Sequence, residues 1–132
     1  MSFTKITTAG AGTMGSQVAW QMAFHGKDVT VYDAIPAGLE KGKAFHRAYA
    51  DHFMTQRGAT REQVDGTFAR LTYTTDLAAA VREADLISES VPESLAIKES
   101  FWREASKHAP ARTVFTTNSS TLPPSALVEI AG

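Results

Sequence analysis

The stretch that most constrains this chain is a glycine-rich turn near its start, K-I-T-T-A-G-A-G-T-M-G over residues 5–15. Its glycines, Gly10, Gly12 and Gly15, have the G-x-G-x-x-G spacing that joins a buried strand to a helix. Gly10 permits a tight turn, Gly12 lets a phosphate approach the main chain, and Gly15 lets the helix pack on the strand. The free N–H groups of the first helical turn then point at the phosphates. The turn therefore predicts a dinucleotide-binding site.

The residues after the turn support this interpretation, which matters because many glycine turns only reverse a chain. Four apolar residues have the spacing of a buried helix face: Val18, Ala19, Met22 and Ala23. A second strand over residues 29–32 ends in Asp33, 18 residues after Gly15. A carboxylate in that place accepts hydrogen bonds from the adenosine ribose. We therefore expect Asp33 to hold the ribose of the dinucleotide.

Asp33 also predicts which dinucleotide binds. A 2′-phosphate about 4 Å from a carboxylate would be repelled by roughly 4 kcal/mol per unit charge at an effective dielectric near 20. Neither Ala34 nor Ile35 supplies a compensating cation. The sequence therefore predicts NAD in preference to NADP.

The composition limits the class of protein. The 132 residues, 43% of them hydrophobic, can bury one core, so we expect a single domain over residues 1–132. A net charge of −1 argues against a nucleic-acid surface, and no apolar run approaches membrane-spanning length. The absence of cysteine excludes thiolate chemistry and fits the cytoplasm, where we expect the protein. No metal site is predicted, and four histidines are interpreted as surface or half-buried residues: His25, His46, His52 and His108.

Strands and helices alternate along the predicted chain. This alternation predicts an α/β fold, a doubly wound, mainly parallel sheet of the Rossmann type with a helical arm between strands 2 and 3. Within the arm, a helix over about 37–54 has a predicted apolar stripe: Phe45, Ala48, Tyr49, His52 and Phe53. Thr60 and Gln63 have capping-box spacing and open a second helix. Further strands are predicted at 71–74, 85–91 and 113–116, and helices at 77–83, after Pro92 and at 124–130.

Charged and polar residues are expected to gather at the carboxyl ends of the parallel strands, where such sheets bind ligands. The prediction brings five residues to one cleft: Gly10, Gly12, Asp33, Glu93 and Ser120. Lys41, Lys43 and Arg47 lie largely off the apolar stripe of the arm. They form either a solvated face or a contact for an anionic ligand, and both interpretations stay open.

Four segments together resemble a known family. They are G-A-G-T-M-G at 10–15, V-Y-D at 31–33, E-S-V-P-E at 89–93 with Lys98, and T-N-S-S-T-L at 117–122. In this order they resemble the NAD-binding domain of the 3-hydroxyacyl-CoA dehydrogenases, including 3-hydroxybutyryl-CoA dehydrogenase. The resemblance implies oxidation of an (S)-3-hydroxyacyl-CoA to the 3-ketoacyl-CoA with NAD, in fatty-acid or acyl-CoA metabolism.

The resemblance also implies residue roles. Ser120 matches a serine that touches both the nicotinamide side and the substrate oxygen, so it is the candidate catalytic residue. Without the resemblance, Glu93 would be interpreted as an acid that interacts with a helix dipole, Lys98 as a surface charge and Ser120 as a turn serine. The implied cofactor-binding residues are Gly10, Ala11, Gly12, Thr13, Met14, Gly15, Asp33, Val91, Pro92, Glu93, Lys98, Asn118 and Ser120.

Two departures from the family pattern qualify these roles. No part of this sequence matches the family's catalytic histidine or the glutamate that pairs with it. No part matches the family's helical domain either, which buries the acyl chain and forms the homodimer. We therefore expect these 132 residues to bind NAD without turning over substrate. In addition, Tyr49 and Gln56 stand where the family has a serine and a lysine for the CoA moiety. Two alternatives stay open: another NAD-dependent hydroxyacid dehydrogenase, or a non-catalytic NAD-binding module.

Overall fold

Five strands and five helices make up the part of the chain described by the computed structural model, residues 4–90 and 95–117. The strands are β1 (Lys5–Ala9), β2 (Asp28–Tyr32), β3 (Leu71–Thr74), β4 (Leu86–Glu89) and β5 (Val114–Thr117). The helices are α1 (Thr13–Phe24), α2 (Pro36–Gln56), α3 (Arg61–Ala69), α4 (Leu77–Val81) and α5 (Leu95–His108).

The strands form one parallel sheet in the order β3-β2-β1-β4-β5. β1 is its central strand, and Thr8 pairs with Val31 of β2 on one side and with Ser88 of β4 on the other. Because the chain runs outward from β1 first in one direction and then in the other, the sheet has a switch point beside this strand. The predicted doubly wound, Rossmann-type fold is confirmed.

Two clusters of buried side chains cover the two faces of the sheet. One joins Val29 and Val31 of the sheet to Trp20 of α1 and Phe53 of α2. The other includes Ile87 of β4 and three residues of α5: Phe101, Trp102 and Ala105. Full burial of such a side chain contributes about 1.5–3 kcal/mol relative to leaving it in water. Both faces of the sheet are therefore stabilised by aromatic as well as aliphatic residues.

The predicted helical arm is present as α2 and α3, and it packs against α1. The Trp20 ring makes edge contacts with Phe53 and Phe68, with ring centroids 5.7 Å and 5.2 Å away. The capping box of α3 is confirmed, since Gln63 N donates to Thr60 Oγ1 at 3.1 Å and Thr60 N donates to Gln63 Oε1 at 2.8 Å. The arm is thus fixed to α1 and the sheet through one shared buried cluster.

The buried face of α2 differs from the predicted stripe. The buried residues are Leu39, Gly42, His46, Ala50 and Phe53. The stripe was therefore wrong at Ala48 and His52, which are exposed, and the interpretation of His46 as a surface or half-buried residue was wrong as well. The reason is that α2 contacts α1 through a glycine and a histidine, which a count of apolar positions ignores.

The remaining predicted elements agree with the structure to within a few residues. β3 has its predicted bounds, whereas α4 ends at Val81 and β4 is shorter than predicted. The helix predicted at 124–130 lies outside the described residues. Within residues 4–90 and 95–117, no helix is long and apolar enough to cross a membrane, and no three potential metal-ligating side chains lie together.

Candidate functional site

The glycine turn between β1 and α1 is held by backbone contacts. Gly10 has a φ of 97°, a conformation that side chains disfavour, and its N–H donates to Tyr32 O of β2 at 2.8 Å. A Cβ on Gly15 would lie 2.0 Å from the Gly10 carbonyl oxygen. The turn therefore requires glycine at both positions for steric reasons within the chain.

Gly12 differs from these two glycines, because the space beside it is open. It is the N-cap of α1 with an ordinary φ of −73°, and no side-chain hydrogen bond caps the helix there. If a Cβ were added to Gly12, no atom of the described residues outside its immediate chain neighbours would lie within 4 Å of it. The main chain at the start of α1 is therefore open at Gly12, as the close approach of a phosphate requires. A negative charge at such a helix end gains about 0.3–1 kcal/mol.

Asp33 follows β2 and reaches back to the turn. Its Oδ2 accepts from Ala11 N at 3.1 Å, and its Oδ1 accepts from Ile35 N at 2.9 Å. A carboxylate has about four acceptor positions, so these two bonds leave room for ribose hydroxyls. A Cβ on Gly38 would lie 2.5 Å from Asp33 Oδ2, so α2 can begin beside the carboxylate only because residue 38 is glycine.

A cleft of about 590 Å³ opens beside Asp33 at the carboxyl edge of the sheet. Its apolar part contains Ile35, whose side chain is 63% exposed, together with Leu77 and Phe101. Apolar surface next to a carboxylate suits an adenosine, which has a flat ring and a ribose diol. The full lining is Gly10, Tyr32, Asp33, Ala34, Ile35, Ala37, Gly38, Lys41, Leu77, Ser100, Phe101 and Glu104.

The two lysines of the arm have different surroundings. Lys41 lines the cleft beside Asp33, which favours the interpretation that it contacts an anionic ligand. Lys43 instead pairs with Glu40 at 3.3 Å and places its Nζ 5.3 Å from the centre of the Tyr73 ring. From the sequence alone, both interpretations of these lysines stayed open. The predicted preference for NAD considered only the two residues after Asp33, Ala34 and Ile35, and did not consider Lys41.

The structure brings together five of the predicted site residues: Gly10, Ala11, Gly12, Gly15 and Asp33. Thr13 and Met14 belong to the first turn of α1, and Lys98 lies in α5. Five other predicted residues lie outside the described part of the chain: Val91, Pro92, Glu93, Asn118 and Ser120. The predicted convergence of Glu93 and Ser120 on the same cleft therefore stays a prediction.

Sequence reasoning missed Gly38 and Gly42 of α2, which lie against the Asp33 carboxylate and against the turn, respectively. A Cβ on Gly42 would lie 3.0 Å from Ala11 Cβ and 3.4 Å from Ser16 Oγ. Their spacing of four residues places them on one helix face, and that spacing was the available signal. Small residues at this spacing let a helix approach a neighbouring backbone.

A second cavity, of about 610 Å³, lies between α1 and α2. Its lining includes Trp20, Tyr49, Phe53 and Arg57. Tyr49 is one of the two positions where the sequence departs from the family pattern for CoA, and here it contributes an aromatic wall. This cavity is lined by side chains of α1 and of the arm, and its lining does not include the glycine turn.

A phosphate-accessible helix start, a glycine turn and a strand-end carboxylate beside an apolar cleft define a dinucleotide-binding domain of the Rossmann type. The chain also matches, over residues 5–131, the family described as 3-hydroxyacyl-CoA dehydrogenase, NAD binding domain. The chain belongs to this family, and its cofactor is NAD.

Three known proteins illustrate the similarity. The 3-hydroxyadipyl-CoA dehydrogenase of Escherichia coli is 31% identical over 117 residues, covering 89% of this chain and 24% of the relative. The L-carnitine dehydrogenase of Mesorhizobium japonicum is 32% identical over 124 residues, covering 91% of this chain and 32% of the relative. A solved diketoreductase, described as a dual catalyst of dicarbonyl compounds, superposes with a TM-score of 0.93 at 41% identity, covering 100% of this chain and 47% of the other.

The chain spans less than half the length of each of these proteins. What it shares with them is therefore the NAD-binding portion. Two of the three names, L-carnitine dehydrogenase and diketoreductase, do not mention coenzyme A. The shared portion thus occurs in proteins that are named for different substrates.

Proposed function

We propose that this chain is the NAD-binding portion of a dehydrogenase that oxidises (S)-3-hydroxyacyl-CoA to 3-ketoacyl-CoA in acyl-CoA metabolism. The observation that carries the proposal is the joint presence of the family match and the open Gly12 helix start beside Asp33. The acyl-CoA named for the Escherichia coli relative supports the substrate class.

The proposed cofactor contacts follow from the turn. The N–H groups at the start of α1, from Gly12 through Gly15, hold the diphosphate, with Thr13 and Met14 between them. Asp33 accepts hydrogen bonds from the ribose, and Ile35 and Phe101 enclose the adenine. These contacts must supply much of the affinity, because a micromolar Kd requires about 8 kcal/mol and the helix terminus provides only a small part.

The proposed chemistry is hydride transfer between the 3-carbon of the substrate and the nicotinamide, which NAD supplies when bound. The described residues bind and orient the cofactor so that this ring and the substrate carbon can be held in register. Ser120 is proposed to donate a hydrogen bond to the substrate oxygen, and Val91, Pro92, Glu93, Lys98 and Asn118 are proposed to complete the cofactor site. Removal of the hydroxyl proton requires a general base, which the family resemblance assigns to a histidine matched by no residue here.

A second candidate is a dehydrogenase of the same family whose substrate carries no coenzyme A. The diketoreductase has 41% identity over the whole chain, above the 31% of the 3-hydroxyadipyl-CoA dehydrogenase. Tyr49 and Gln56 also replace the serine and lysine that the family resemblance associates with CoA. Both candidates use the same NAD site, so they differ only in the substrate that the whole protein selects.

Two measurements test these proposals. Titration of the 132-residue chain with NADH should give saturable binding, and absence of binding would refute the cofactor site. The gene product in its full natural length should then be assayed with acetoacetyl-CoA and with a free diketone at equal concentrations. Faster reduction of acetoacetyl-CoA supports the first candidate, whereas preference for the free diketone supports the second.

A further inference from the structure

His46 is the one histidine among the described residues that is fully buried, with 0% exposure. Its Nε2 lies 2.9 Å from Ser16 O, and its Nδ1 lies 2.6 Å from Tyr73 Oη. A carbonyl oxygen can only accept, so Nε2 carries the proton and donates to Ser16 O. In the neutral imidazole, Nδ1 then accepts from the Tyr73 hydroxyl. These two bonds fix the tautomer of His46.

Ser16, whose carbonyl accepts from His46, lies in the first part of α1, directly after the glycine turn. Ser16 is itself fully buried, its N–H donates to Gly12 O at 2.9 Å, and its Oγ donates to Ala11 O at 2.9 Å. Ala11 N in turn donates to Asp33 Oδ2 at 3.1 Å. A continuous series of hydrogen bonds therefore runs from Tyr73 of β3 through His46 to the turn and to Asp33.

The residues packed around His46 also hold α2 against the turn and α1. A Cβ on Gly42, one helical turn before His46, would lie 3.0 Å from Ala11 Cβ, so the α2 backbone touches the turn directly. The Trp20 ring lies with its centroid 5.8 Å from that of His46. α2 thus contacts the turn through its backbone at Gly42 and contacts α1 through the polar side chain of His46.

We propose that His46 is a positioning residue of the NAD site, which holds the first turn of α1 and the Asp33 carboxylate in their binding geometry while its imidazole is neutral. The inference rests on the proposed assignment of this turn as the NAD site. It adds a residue from the arm, outside every segment that carries the family resemblance, to the groups on which cofactor affinity depends.

The surroundings of His46 oppose a positive charge. Burial lowers the pKa of the His46 imidazole, and the hydrogen bond to Ser16 O opposes that shift only in part. The titratable groups that contact it are Tyr73 from β3 and Tyr49 from α2, whose ring centroid is 6.2 Å away. The cations Lys43 and Arg47 of α2 act on the Tyr73 side chain. Burial raises the pKa of Tyr73 to about 12, so its hydroxyl stays neutral and donates to Nδ1 at ordinary pH.

Protonation of His46 reverses one bond of the series. The Nδ1–H of the imidazolium would become a donor, and the Tyr73 hydroxyl would have to turn its own proton elsewhere. The charge would also be buried, because the His46 side chain is fully enclosed. NADH affinity is therefore expected to fall as the pH drops below the ordinary histidine pKa of 6.5, because protonation destabilises the geometry that binds the cofactor.

The test is NADH binding by the 132-residue chain and its variants, measured with freshly dissolved NADH between about pH 5.5 and about pH 7.5. His46→Leu removes both hydrogen bonds and should weaken binding about tenfold at the upper pH. Tyr73→Phe keeps the ring packing and should weaken it about threefold. His46→Gln offers an amide donor and an oxygen acceptor, so it should restore most of the affinity. His52→Gln changes an exposed histidine of α2 and serves as the matched control.

The pH profile separates positioning from simple packing. Wild type should lose affinity toward the acid end of this range, whereas His46→Gln, in which position 46 no longer titrates, should change by less than about twofold. An identical decline in His46→Gln would overturn the proposal, as would wild-type affinity in folded His46→Leu and Tyr73→Phe. If His46→Leu does not fold, Tyr73→Phe and the profile of His46→Gln decide. Failure of wild type to bind NADH overturns the NAD site and this inference together, whereas binding that no variant alters overturns this inference alone.

Discussion

Two aspartates at opposite edges of the sheet show how one residue type is used for structure and for binding. Asp33 lies after β2 at the carboxyl edge, and Asp85 lies before β4 at the amino edge. Both accept backbone N–H bonds. Asp33 accepts from Ala11 and Ile35, and Asp85 accepts from Thr4 and Lys5, each at 3.0 Å.

The difference lies in what else each carboxylate meets. Asp85 also accepts from Thr4 Oγ1 at 3.0 Å and pairs with Arg112 at 3.3 Å. These bonds hold the pKa of Asp85 well below its ordinary value, the largest effect being the backbone bond from Lys5. Asp33 has no cation within ion-pair distance among the described residues and lines an open cleft. At the amino edge, Asp85 joins neighbouring segments of the sheet. At the carboxyl edge, Asp33 has hydrogen-bond acceptor positions left for a ligand.

Gly15→Ala should have the largest effect, because it damages the carboxyl edge itself. The new Cβ would lie 2.0 Å from Gly10 O, so backbone must move, at a cost of roughly 1–3 kcal/mol or more. Thermal unfolding and NADH titration should show both lower stability and loss of binding. Gly66→Ala is the control: its Cβ would meet only the flexible Arg70 side chain, at 3.4 Å, and it should stabilise α3 by about 0.5–1 kcal/mol.

Gly12→Ala should reduce binding without reducing stability. The backbone of Gly12 has a φ open to any residue, and its surroundings leave space for a methyl group. The free energy of unfolding should stay within about 0.5 kcal/mol of wild type, whereas NADH affinity should fall about tenfold or more because the methyl group occupies the phosphate position. Unchanged affinity would mean that no phosphate approaches Gly12.

Asp33→Asn should alter the choice of cofactor. Removing the charge removes a repulsion of roughly 4 kcal/mol at most between the carboxylate and a 2′-phosphate, and Lys41 remains in the cleft to attract the phosphate. The ratio of the NADPH Kd to the NADH Kd should therefore fall by about tenfold. Asp28→Asn, an exposed aspartate at the other end of β2, should leave the ratio unchanged. An unaltered ratio in Asp33→Asn would show that Asp33 does not face the ribose.

Asp85→Asn should have the smallest effect on the cofactor, since it acts on the opposite edge. It should lower Tm and leave the Kd for NADH within about twofold of wild type. Because the folded pKa of Asp85 is depressed, the unfolded chain binds more protons, so this contribution to stability is present above pH 3.8. It is lost as the pH falls below that value. The Tm difference between wild type and variant should therefore shrink in acid, and a constant difference would contradict the ionic explanation.

The sequence predicted the elements whose determinants are local. The strand, glycine turn and helix of residues 5–15, the strand at 71–74 and the capping box of Thr60 and Gln63 depend on neighbouring residues, and all three are present. The position of Asp33 beside the turn was also predictable, because adjacent parallel strands end at the same edge. The carboxylate accepts from Ala11 N, as that proximity implies.

The sequence could not predict the face that α2 presents to α1. That face is decided by partners far along the chain, since His46 bonds Ser16 and Tyr73, which are 30 and 27 residues away. Phe45 and Tyr49 of the predicted stripe stack on each other with centroids 6.3 Å apart, whereas Phe53 packs against Trp20 of α1. Gly42 has no side chain to enter a periodicity count, although its bare backbone sets how closely α2 approaches the turn.

The central place of β1 has a consequence for how the chain folds. Its residues pair with β4 at a separation of 80 positions, as Ile6 does with Leu86, so this pairing has to close a long stretch of chain. Closing so long a loop costs entropy before any contact is gained, and such non-local topology slows folding. A circular permutant that begins after α3 would place β4 before β1 and reduce the number of residues between these two paired strands.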